Sequence, residues 1–321
     1  MREIVFRLLA IAFSLALFEG ALRVLDQPRY DTCWVSDNEF WREDPVLGFA
    51  YEPGMAMAGG VVNALGLRGP LPLHEKPAGT RRILYVGDST VYGFGVADDD
   101  TFWSLATRAI AARHPGQSFE PMVAAAPCYS SYQSRVLVER FAPFAPDWAV
   151  FYVGAHNDER RRRYYEDAEI PARAARRQAA WHQLRALRAG EFLIDRLGRW
   201  IAKQVGGPTA WRRVPPDAFE ANLRAMIATA RAAGARPLLL IPPVSDTLAD
   251  RYPATPVYQE ILKRVAAEQQ VTSVELEPLF AAHDPKALYL PDDDFHPSPL
   301  GHRLISDAIA RAIEAAENAP H

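Results

Sequence analysis

The chain has 321 residues, of which 49% are hydrophobic and 23% charged, an ordinary composition for a folded protein with a large core. This length fits one large α/β domain with an insertion, or two domains. The formal net charge of −3 argues against a dedicated nucleic-acid-binding protein. The two cysteines, Cys33 and Cys128, match no metal-ligand spacing; in an oxidising compartment a disulfide between them is an open alternative.

An apolar run near the N-terminus predicts a membrane segment. Residues 8–18 are eleven uncharged residues, which match the core of a signal peptide better than a full membrane span. No small-x-small cleavage site follows them. Glu19 and Arg23 are spaced to pair on one helical face, which extends the helix to about Leu25 at a reduced cost of insertion. We therefore predict an uncleaved signal anchor over residues 1–26, although cleavage stays an open question.

The charges in front of this run predict its orientation. Arg2 and Arg7 favour a cytoplasmic N-terminus, so the rest of the chain is expected outside the cytoplasm. The alternative is a buried amphipathic helix of a soluble protein. It is disfavoured because the run is apolar on every face.

The remaining chain predicts an alternation of strands and helices. Residues 27–80 are rich in Pro and Gly and predict an extended lead-in that wraps the domain. Asp98, Asp99 and Asp100 are expected to cap the helix that follows them. The alternation predicts a parallel sheet covered on both faces. The predicted strands are residues 83–86, 122–126, 148–153, 237–241 and 271–276, and the predicted helices are 101–112, 131–141, 219–233, 257–269 and 299–316.

One stretch departs from this alternation. Residues 159–213 hold thirteen Arg and one Lys against six acidic residues, a local charge of +8. They predict an inserted helical subdomain with solvated basic faces and a helical run over residues 172–205. The alternative is a surface that contacts anionic lipid or an acidic polymer. Its aromatic residues fit helix packing better than a sugar cleft: Tyr164, Tyr165, Trp181, Trp200 and Trp211.

Two short segments about two hundred residues apart carry the candidate chemistry. The first is an apolar, strand-like run that ends in GDS at residues 87–89, and the second is DDFHP at residues 293–297. A serine hydroxyl is a poor nucleophile unless an imidazole takes its proton and a third group fixes the imidazole's tautomer. Asp293 and His296 are three residues apart, so one turn can face both toward Ser89. This arrangement is typical of a serine esterase or acyltransferase.

In their order along the chain, these motifs resemble the blocks of the SGNH/GDSL hydrolases. GDS follows a strand, GAHND at residues 154–158 follows a later strand, and DxxH precedes the last helix. GDS alone is a weak signal, but the three blocks in order are specific. The likeness covers most of residues 81–318 apart from the basic insertion. Residues 63–69, NALGLRG, are similar to a lead-in of membrane-anchored members linked to bacterial cell-surface polysaccharides.

The resemblance implies a fold and a location. The fold is a flavodoxin-like three-layer α/β/α sandwich with a parallel sheet over residues 81–318. The N-terminal membrane helix and the helical insertion 159–213 are additions to it, and residues 27–80 lead into it. The expected location is the bacterial inner membrane, as a single-pass protein with its catalytic domain in the periplasm.

The resemblance also implies roles for single residues. Ser89 is the expected nucleophile, His296 its general base and then acid, and Asp293 the carboxylate that orients His296. The oxyanion hole is expected to comprise the backbone N–H of Ser89, a second backbone N–H, and the amide of Asn157. Cys128 stands where the family usually has the glycine that supplies the second N–H. A negative φ there lets it donate without strain, whereas a positive φ strains it.

Neighbouring residues have plainer interpretations. Cys128 is alternatively a buried small residue or half of a disulfide. Asp88 is expected to brace the nucleophile turn through backbone hydrogen bonds. His156 is expected to be structural or to line the substrate, and His302 to pack or to be exposed. Two further carboxylates compete with the chosen one, and only the three-residue spacing disfavours them: Asp292 and Asp294.

The sequence thus predicts an extracytoplasmic serine esterase that hydrolyses acyl esters, O-acetyl first, on a glycan through an acyl-enzyme on Ser89. An O-acyltransferase with the same triad is the alternative, because competition between water and a sugar hydroxyl decides between the two. Lipase or lysophospholipase activity ranks third. A non-catalytic glycan-assembly subunit is disfavoured, since binding alone does not require the full Ser, Asn, Asp and His set. No cofactor or metal is predicted; the expected partners are an acylated glycan or lipid ester and the membrane.

Overall fold

The computed structural model describes residues 2–24, 41–57, 59–154, 156–159, 166–180, 200, 212–244 and 246–318. The chain divides into two compact units, residues 1–50 with 161–211 and residues 51–160 with 212–321. The domain boundaries drawn from the sequence stay a prediction.

The strands are β1 (Trp41–Asp44), β2 (Gly48–Tyr51), β3 (Ala56–Met57), β4 (Gly60–Val61), β5 (Thr80–Gly87), β6 (Ser118–Ala125), β7 (Trp148–Tyr152), β8 (Arg236–Ile241) and β9 (Thr272–Glu275). The helices are α1 (Arg2–Val24), α2 (Ser89–Tyr92), α3 (Phe102–Arg113), α4 (Ser131–Phe141), α5 (His156–Glu159), α6 (Ile170–Ala180), α7 (Pro216–Ala232), α8 (Asp246–Arg251), α9 (Thr255–Glu268), α10 (Glu277–Ala281), α11 (Pro285–Leu288) and α12 (Pro299–Asn318).

The first unit contains the N-terminal helix. α1 has 23 residues, is long and apolar enough to cross a membrane, and is largely exposed. Arg23 Nε donates to Glu19 Oε1 at 2.6 Å, so the predicted pair forms. Signal sequences and anchors share these properties, and the helix indicates secretion or membrane association. Of the helical run predicted over residues 172–205, the structure describes the start in α6 and residue 200.

The core of the second unit is a five-stranded parallel sheet in the order β6-β5-β7-β8-β9. Counted along the chain this is 2-1-3-4-5, the order of flavodoxin-like folds. The five strands and five helices predicted after residue 81 are all present, with ends displaced by at most four residues. The predicted α/β fold class is therefore confirmed.

Alternating side chains of the strands cover both faces of this sheet. On one face, apolar residues of β5 to β8 pack with α3 and α12, and Ile83, Tyr85 and Ile309 belong to this layer. On the other face α4 packs against α7, and α7 against α9. β5 is buried along nearly its whole length, as expected for a central strand of a parallel sheet. The result is a three-layer sandwich.

The prediction that three aspartates cap α3 is wrong. Asp98–Asp100 form a separate 3-10 turn, and Thr101 is the N-cap, whose Oγ1 accepts from the N–H of Ser104 at 3.4 Å. Asp98 Oδ1 instead accepts from Arg68 Nε at 2.6 Å. The carboxylate of Asp98 is paired with the buried guanidinium of Arg68 and does not cap the helix.

The lead-in is more regular than its composition predicts, since it contains β1 to β4. Its anchor in the second unit is Arg68, whose side chain is fully buried. Besides Asp98, the guanidinium donates to the carbonyl of Gly59 in the lead-in and to three carbonyls at the end of α2 and in the loop after it, those of Tyr92, Gly93 and Val96. A buried charge of this kind is stable only when its donors are satisfied. The lead-in therefore helps to fix the loop behind the nucleophile.

Candidate active site

Three adjacent strands bring the predicted site residues to one edge of the sheet. In the observed register the last residues of β5, β6 and β7 lie side by side. Ser89 follows β5, Cys128 follows β6 and Asn157 follows β7 within a few residues. Ligands of open α/β sheets bind at this carboxyl edge.

Ser89, His296 and Asp293 form one chain of hydrogen bonds. His296 Nε2 lies 2.9 Å from Ser89 Oγ, and His296 Nδ1 lies 2.6 Å from Asp293 Oδ2. An ionised carboxylate only accepts, so Nδ1 carries the proton and Nε2 is left to accept from the serine hydroxyl. Ser89 is 5% exposed, so the hydroxyl and its partners are largely shielded from solvent.

Backbone donors fix the carboxylate of Asp293. Its Oδ1 accepts from the N–H groups of Phe295 and His296 at 2.9 and 3.0 Å. Burial acts to raise the pKa of Asp293, but the hydrogen bonds from the His296 ring and from the backbone hold that pKa below its usual value. Of the competing carboxylates, Asp292 lies in a left-handed turn with φ 60°, and Asp294 lies 3.6 Å from the guanidinium of Arg251.

Asp88 braces two parts of the site at once. Its Oδ1 accepts from the N–H of Thr90 at 2.9 Å, which confirms the predicted brace of the nucleophile turn. Its Oδ2 accepts from Asn157 Nδ2 at 2.8 Å. Because the carboxylate can only accept, this contact fixes which end of the amide is nitrogen. An amide nitrogen has two hydrogens, so Asn157 has a second N–H besides the one that Asp88 accepts.

Cys128 has the backbone conformation of the glycine it replaces. Its φ is +66°, in the left-handed region, which costs a non-glycine residue on the order of 1–3 kcal/mol. Of the two cases that the sequence left open, the structure has the strained one, with a positive φ. Cys128 is disulfide-bonded, and Cys33, the one other cysteine of the chain, lies outside the described residues.

Residues 85–304 match the profile of the GDSL-like Lipase/Acylhydrolase family. The chain belongs to this family. As a GDSL-family acylhydrolase it acts on ester bonds, and its substrate is not specified by the match. A search of curated proteins found no match.

Solved structures with similar folds include three hydrolases. A lipase/acylhydrolase from Enterococcus faecalis is 18% identical, with 74% of this chain and 96% of that chain covered and a TM-score of 0.48. The esterase EstA from Pseudoalteromonas sp. is 14% identical, with 74% and 100% covered and a TM-score of 0.48. A catalytic mutant of Axe2, an acetylxylan esterase from Geobacillus stearothermophilus, is 15% identical, with 73% and 94% covered and a TM-score of 0.49. These likenesses say nothing about the substrate of this GDSL-family protein.

The other two histidines near the site are packed in the interior. His156 is buried with its ring centroid 4.5 Å from that of Phe295 and 5.2 Å from that of Tyr252. His302 is completely buried, and its Nδ1 accepts from the N–H of Phe102 at 3.1 Å. Burial, aided by nearby positive charge, lowers the pKa of His302 to about 3. The packing interpretation of His302 is confirmed.

The sequence motifs do not predict two contacts of the candidate site. Asp158 Oδ1 accepts from the N–H and the hydroxyl of Ser131 at 2.9 and 2.5 Å, which ties the loop after β6 to the Asn157 block. The ring of Phe94 stacks on His296 with centroids 4.6 Å apart. Asp158, the carboxylate of the ND pair, was a visible signal for the contact with Ser131, whereas no local pattern marks the stacking of Phe94 on His296.

The basic insertion lies largely outside the described residues, including the run Arg160–Arg163. Arg213, its last residue, is buried at 5% exposure, which contradicts the predicted solvated face at this position. The reason is a hydrogen bond from its Nη1 to the carbonyl of Cys128 at 2.8 Å. Within the described residues, no group of three or more His, Cys, Asp or Glu could hold a metal ion.

Proposed function

We propose that this GDSL-family esterase removes small acyl groups, O-acetyl first, from a glycan through an acyl-enzyme on Ser89. The observation that carries the proposal is the hydrogen-bonded chain from Ser89 Oγ through His296 to Asp293. Within 3 Å at each step, this chain provides a nucleophile, a base in the required tautomer and the carboxylate that holds the base.

In the acylation step, Ser89 Oγ attacks the ester carbonyl carbon while its proton moves to His296 Nε2. The carbonyl oxygen becomes an oxyanion, which the backbone N–H groups of Ser89 and Cys128 and the amide of Asn157 stabilise. Asp293 stabilises the imidazolium that forms. When the intermediate collapses, Nε2–H gives its proton to the leaving sugar oxygen, and the acyl group stays on Ser89 as an ester.

In the deacylation step, water takes the place of the departed alcohol. His296 Nε2 accepts a proton from this water, whose oxygen attacks the acyl carbon. The second tetrahedral intermediate uses the same donors as the first. Its collapse returns the proton to Ser89 Oγ and releases the carboxylic acid. A sugar hydroxyl in place of water would turn the same step into acyl transfer.

Three features support the choice of substrate and place. Ser89 is almost fully buried and the ring of Phe94 covers one face of His296, so little surface is open around the reacting groups, which favours a small acyl group. The lead-in NALGLRG resembles that of membrane-anchored, polysaccharide-linked members of the family, and the side chain of its Arg68 is fully buried. The helix α1 fits an uncleaved anchor of a periplasmic catalytic domain.

The full-length protein in detergent tests this proposal with p-nitrophenyl acetate. We expect Ser89-dependent turnover, with Ser89→Ala reducing kcat by at least 10³-fold, because removal of the nucleophile abolishes the acyl-enzyme route. Ser306→Ala is the matched control: it removes another buried hydroxyl, one that donates to the carbonyl of Arg303 in α12. The serine mechanism is wrong if Ser89→Ala and Ser306→Ala have the same rate.

Substrate class is tested with acyl chains and glycans. We expect p-nitrophenyl acetate to be cleaved faster than the palmitate ester, and acetate to be released from an acetylated polysaccharide. Preference for the long chain would replace the proposal with lipase activity. Transfer of acetyl to an added oligosaccharide faster than its release to water would replace it with an acyltransferase.

A further inference from the structure

We propose that Tyr51 and Arg213 are positioning residues of the oxyanion hole. They hold the two peptide groups that flank Cys128, so that the backbone N–H of Cys128 faces the substrate's carbonyl oxygen. The inference rests on the proposed acyl-enzyme mechanism, in which Cys128 supplies a backbone donor. Neither residue belongs to a motif of the sequence.

The conformation of Cys128 requires outside support. A glycine enters the left-handed region freely, but a residue with a Cβ enters it only where the surroundings hold it there. Cys128 has φ +66° and is 9% exposed. The N–H of Tyr129 donates to the carbonyl of Ala126 at 3.2 Å, and Cys128 is disulfide-bonded. Contacts from two distant segments of the chain add to these restraints on the angle that aims its N–H.

Tyr51 holds the peptide that precedes Cys128. Its hydroxyl donates to the carbonyl oxygen of Pro127 at 3.2 Å, across 76 residues of sequence. In a trans peptide the C=O and the N–H point in opposite directions within one plane. A fixed Pro127 oxygen therefore fixes the direction of the Cys128 N–H. Burial raises the pKa of the Tyr51 phenol, so the hydroxyl keeps the proton that it donates.

Arg213 holds the peptide that follows Cys128. Its Nη1 donates to the Cys128 carbonyl oxygen at 2.8 Å, across 85 residues of sequence. A hydrogen bond from a charged donor is stronger than one between neutral groups. The φ and ψ of Cys128 are the rotations that relate the two peptide planes. With each plane held by its own donor, both rotations are defined.

The rest of the loop is anchored separately. Gln133 Oε1 accepts from the N–H and the hydroxyl of Ser130 at 2.9 and 2.7 Å. Asp158 holds Ser131, the next residue. These contacts fix the start of α4, whereas Tyr51 and Arg213 act on the peptides on either side of Cys128.

The experiment compares Tyr51→Phe, Arg213→Met and Arg213→Lys with the full-length wild type. The readouts are kcat and KM for p-nitrophenyl acetate, and the Ki of phenylboronic acid, whose tetrahedral adduct on Ser89 directs an oxygen at the oxyanion donors. Tyr85→Phe is the matched control. It also removes a buried hydroxyl, and its partner Thr107 keeps a hydrogen bond to the carbonyl of Trp103.

We expect Tyr51→Phe to lower kcat about tenfold and to raise the boronate Ki by a similar factor. KM should stay within twofold of wild type, because a misaimed donor weakens the binding of the tetrahedral state and not that of the substrate. Arg213→Met should lower kcat further, and Arg213→Lys, which keeps a cationic donor, should recover part of the loss. Tyr85→Phe should match wild type in all three quantities.

The inference is overturned if Tyr51→Phe and Arg213→Met lower only the melting temperature and keep the wild-type kcat and boronate Ki. Should Arg213→Met fail to fold, Tyr51→Phe decides the matter. Failure of the proposed function looks different: wild type would then show no Ser89-dependent hydrolysis, and the inference would fall with it. Ser89-dependent hydrolysis with unaffected positioning variants refutes the inference alone.

Discussion

Two histidines six residues apart, His296 and His302, have similar surroundings and different chemistry. Both are buried, at 8% and 0% exposure. Each stacks on a phenylalanine ring, His296 on Phe94 with centroids 4.6 Å apart and His302 on Phe102 with centroids 5.6 Å apart. Burial and aromatic packing therefore do not distinguish a candidate base from a core residue.

The difference lies in what faces the ring nitrogens. Nδ1 of His296 contacts a carboxylate and Nε2 contacts a hydroxyl, so the ring can gain a proton from one side while negative charge stabilises it from the other. Nδ1 of His302 accepts from a backbone N–H, and its Nε2 has no hydrogen-bond partner among the described residues. Burial, with the positive charge of Arg68 nearby, holds the pKa of His302 at about 3 and keeps its ring neutral.

The largest effect is expected from removing the carboxylate that contacts the ring of His296. Asp293→Asn should lower kcat about 10⁴-fold, because an amide can donate to Nδ1 and thereby favours the wrong tautomer. Steady-state hydrolysis of p-nitrophenyl acetate measures the effect. Asp294→Asn, which changes the neighbouring carboxylate near Arg251, should stay within a few-fold of wild type. Equal losses in the two variants would remove the distinction between them.

His302 should affect stability rather than rate. Its folded-state pKa of about 3 lies below the ordinary 6.5, so the unfolded chain takes up a proton that the folded chain refuses. Stability is therefore lost as the pH falls from about 7 through 6.5 toward 3. His302→Asn, whose Oδ1 can still accept from Phe102, should be less stable at pH 7.5 but should not show the ~2 kcal/mol loss that His302 contributes between pH 7.5 and 5.

Urea unfolding at several pH values measures this contribution, with kcat as the second readout. A kcat within about twofold of wild type is expected, since His302 does not contact the reacting groups. Parallel pH profiles of stability in wild type and His302→Asn would show that His302 is not the buried, neutral group described.

The smallest effect is expected from the ring that stacks on His296. Phe94→Leu keeps apolar volume but loses an aromatic contact worth ~0.5 kcal/mol, so kcat should fall about two- to threefold. Two hydrogen bonds already orient the imidazole, which limits the loss. The same kinetic assay checks it. A loss near that of Asp293→Asn would mean that packing, not the carboxylate, makes His296 a base.

The contacts of the candidate site that depend on local spacing could be predicted from the sequence. The three-residue step from Asp293 to His296 and the strand before Ser89 are both visible in it, and strand-helix alternation gave the fold class. Only the structure distinguishes the competing carboxylates of Asp292 and Asp294 from Asp293. Sequence spacing does not show that Asp292 lies in a left-handed turn or that Asp294 pairs with Arg251.

The contacts that hold Cys128 could not be predicted. Tyr51 and Arg213 reach its flanking carbonyls from 76 and 85 residues away in sequence, and main-chain carbonyls have no sequence signature. Composition even placed Arg213 on a solvated surface. The prediction that aspartates cap α3 was wrong for a related reason. Asp98 pairs with Arg68, which lies thirty residues earlier in the sequence.

Active-site labelling with a fluorophosphonate, followed by mass spectrometry of the peptides, measures directly whether His296 and Asp293 activate Ser89. We expect one label per chain, on Ser89, formed rapidly in wild type and in His302→Asn but slowly in Asp293→Asn. A label on another residue, or equal labelling rates in Asp293→Asn and wild type, would contradict the claim that His296 and Asp293 activate Ser89.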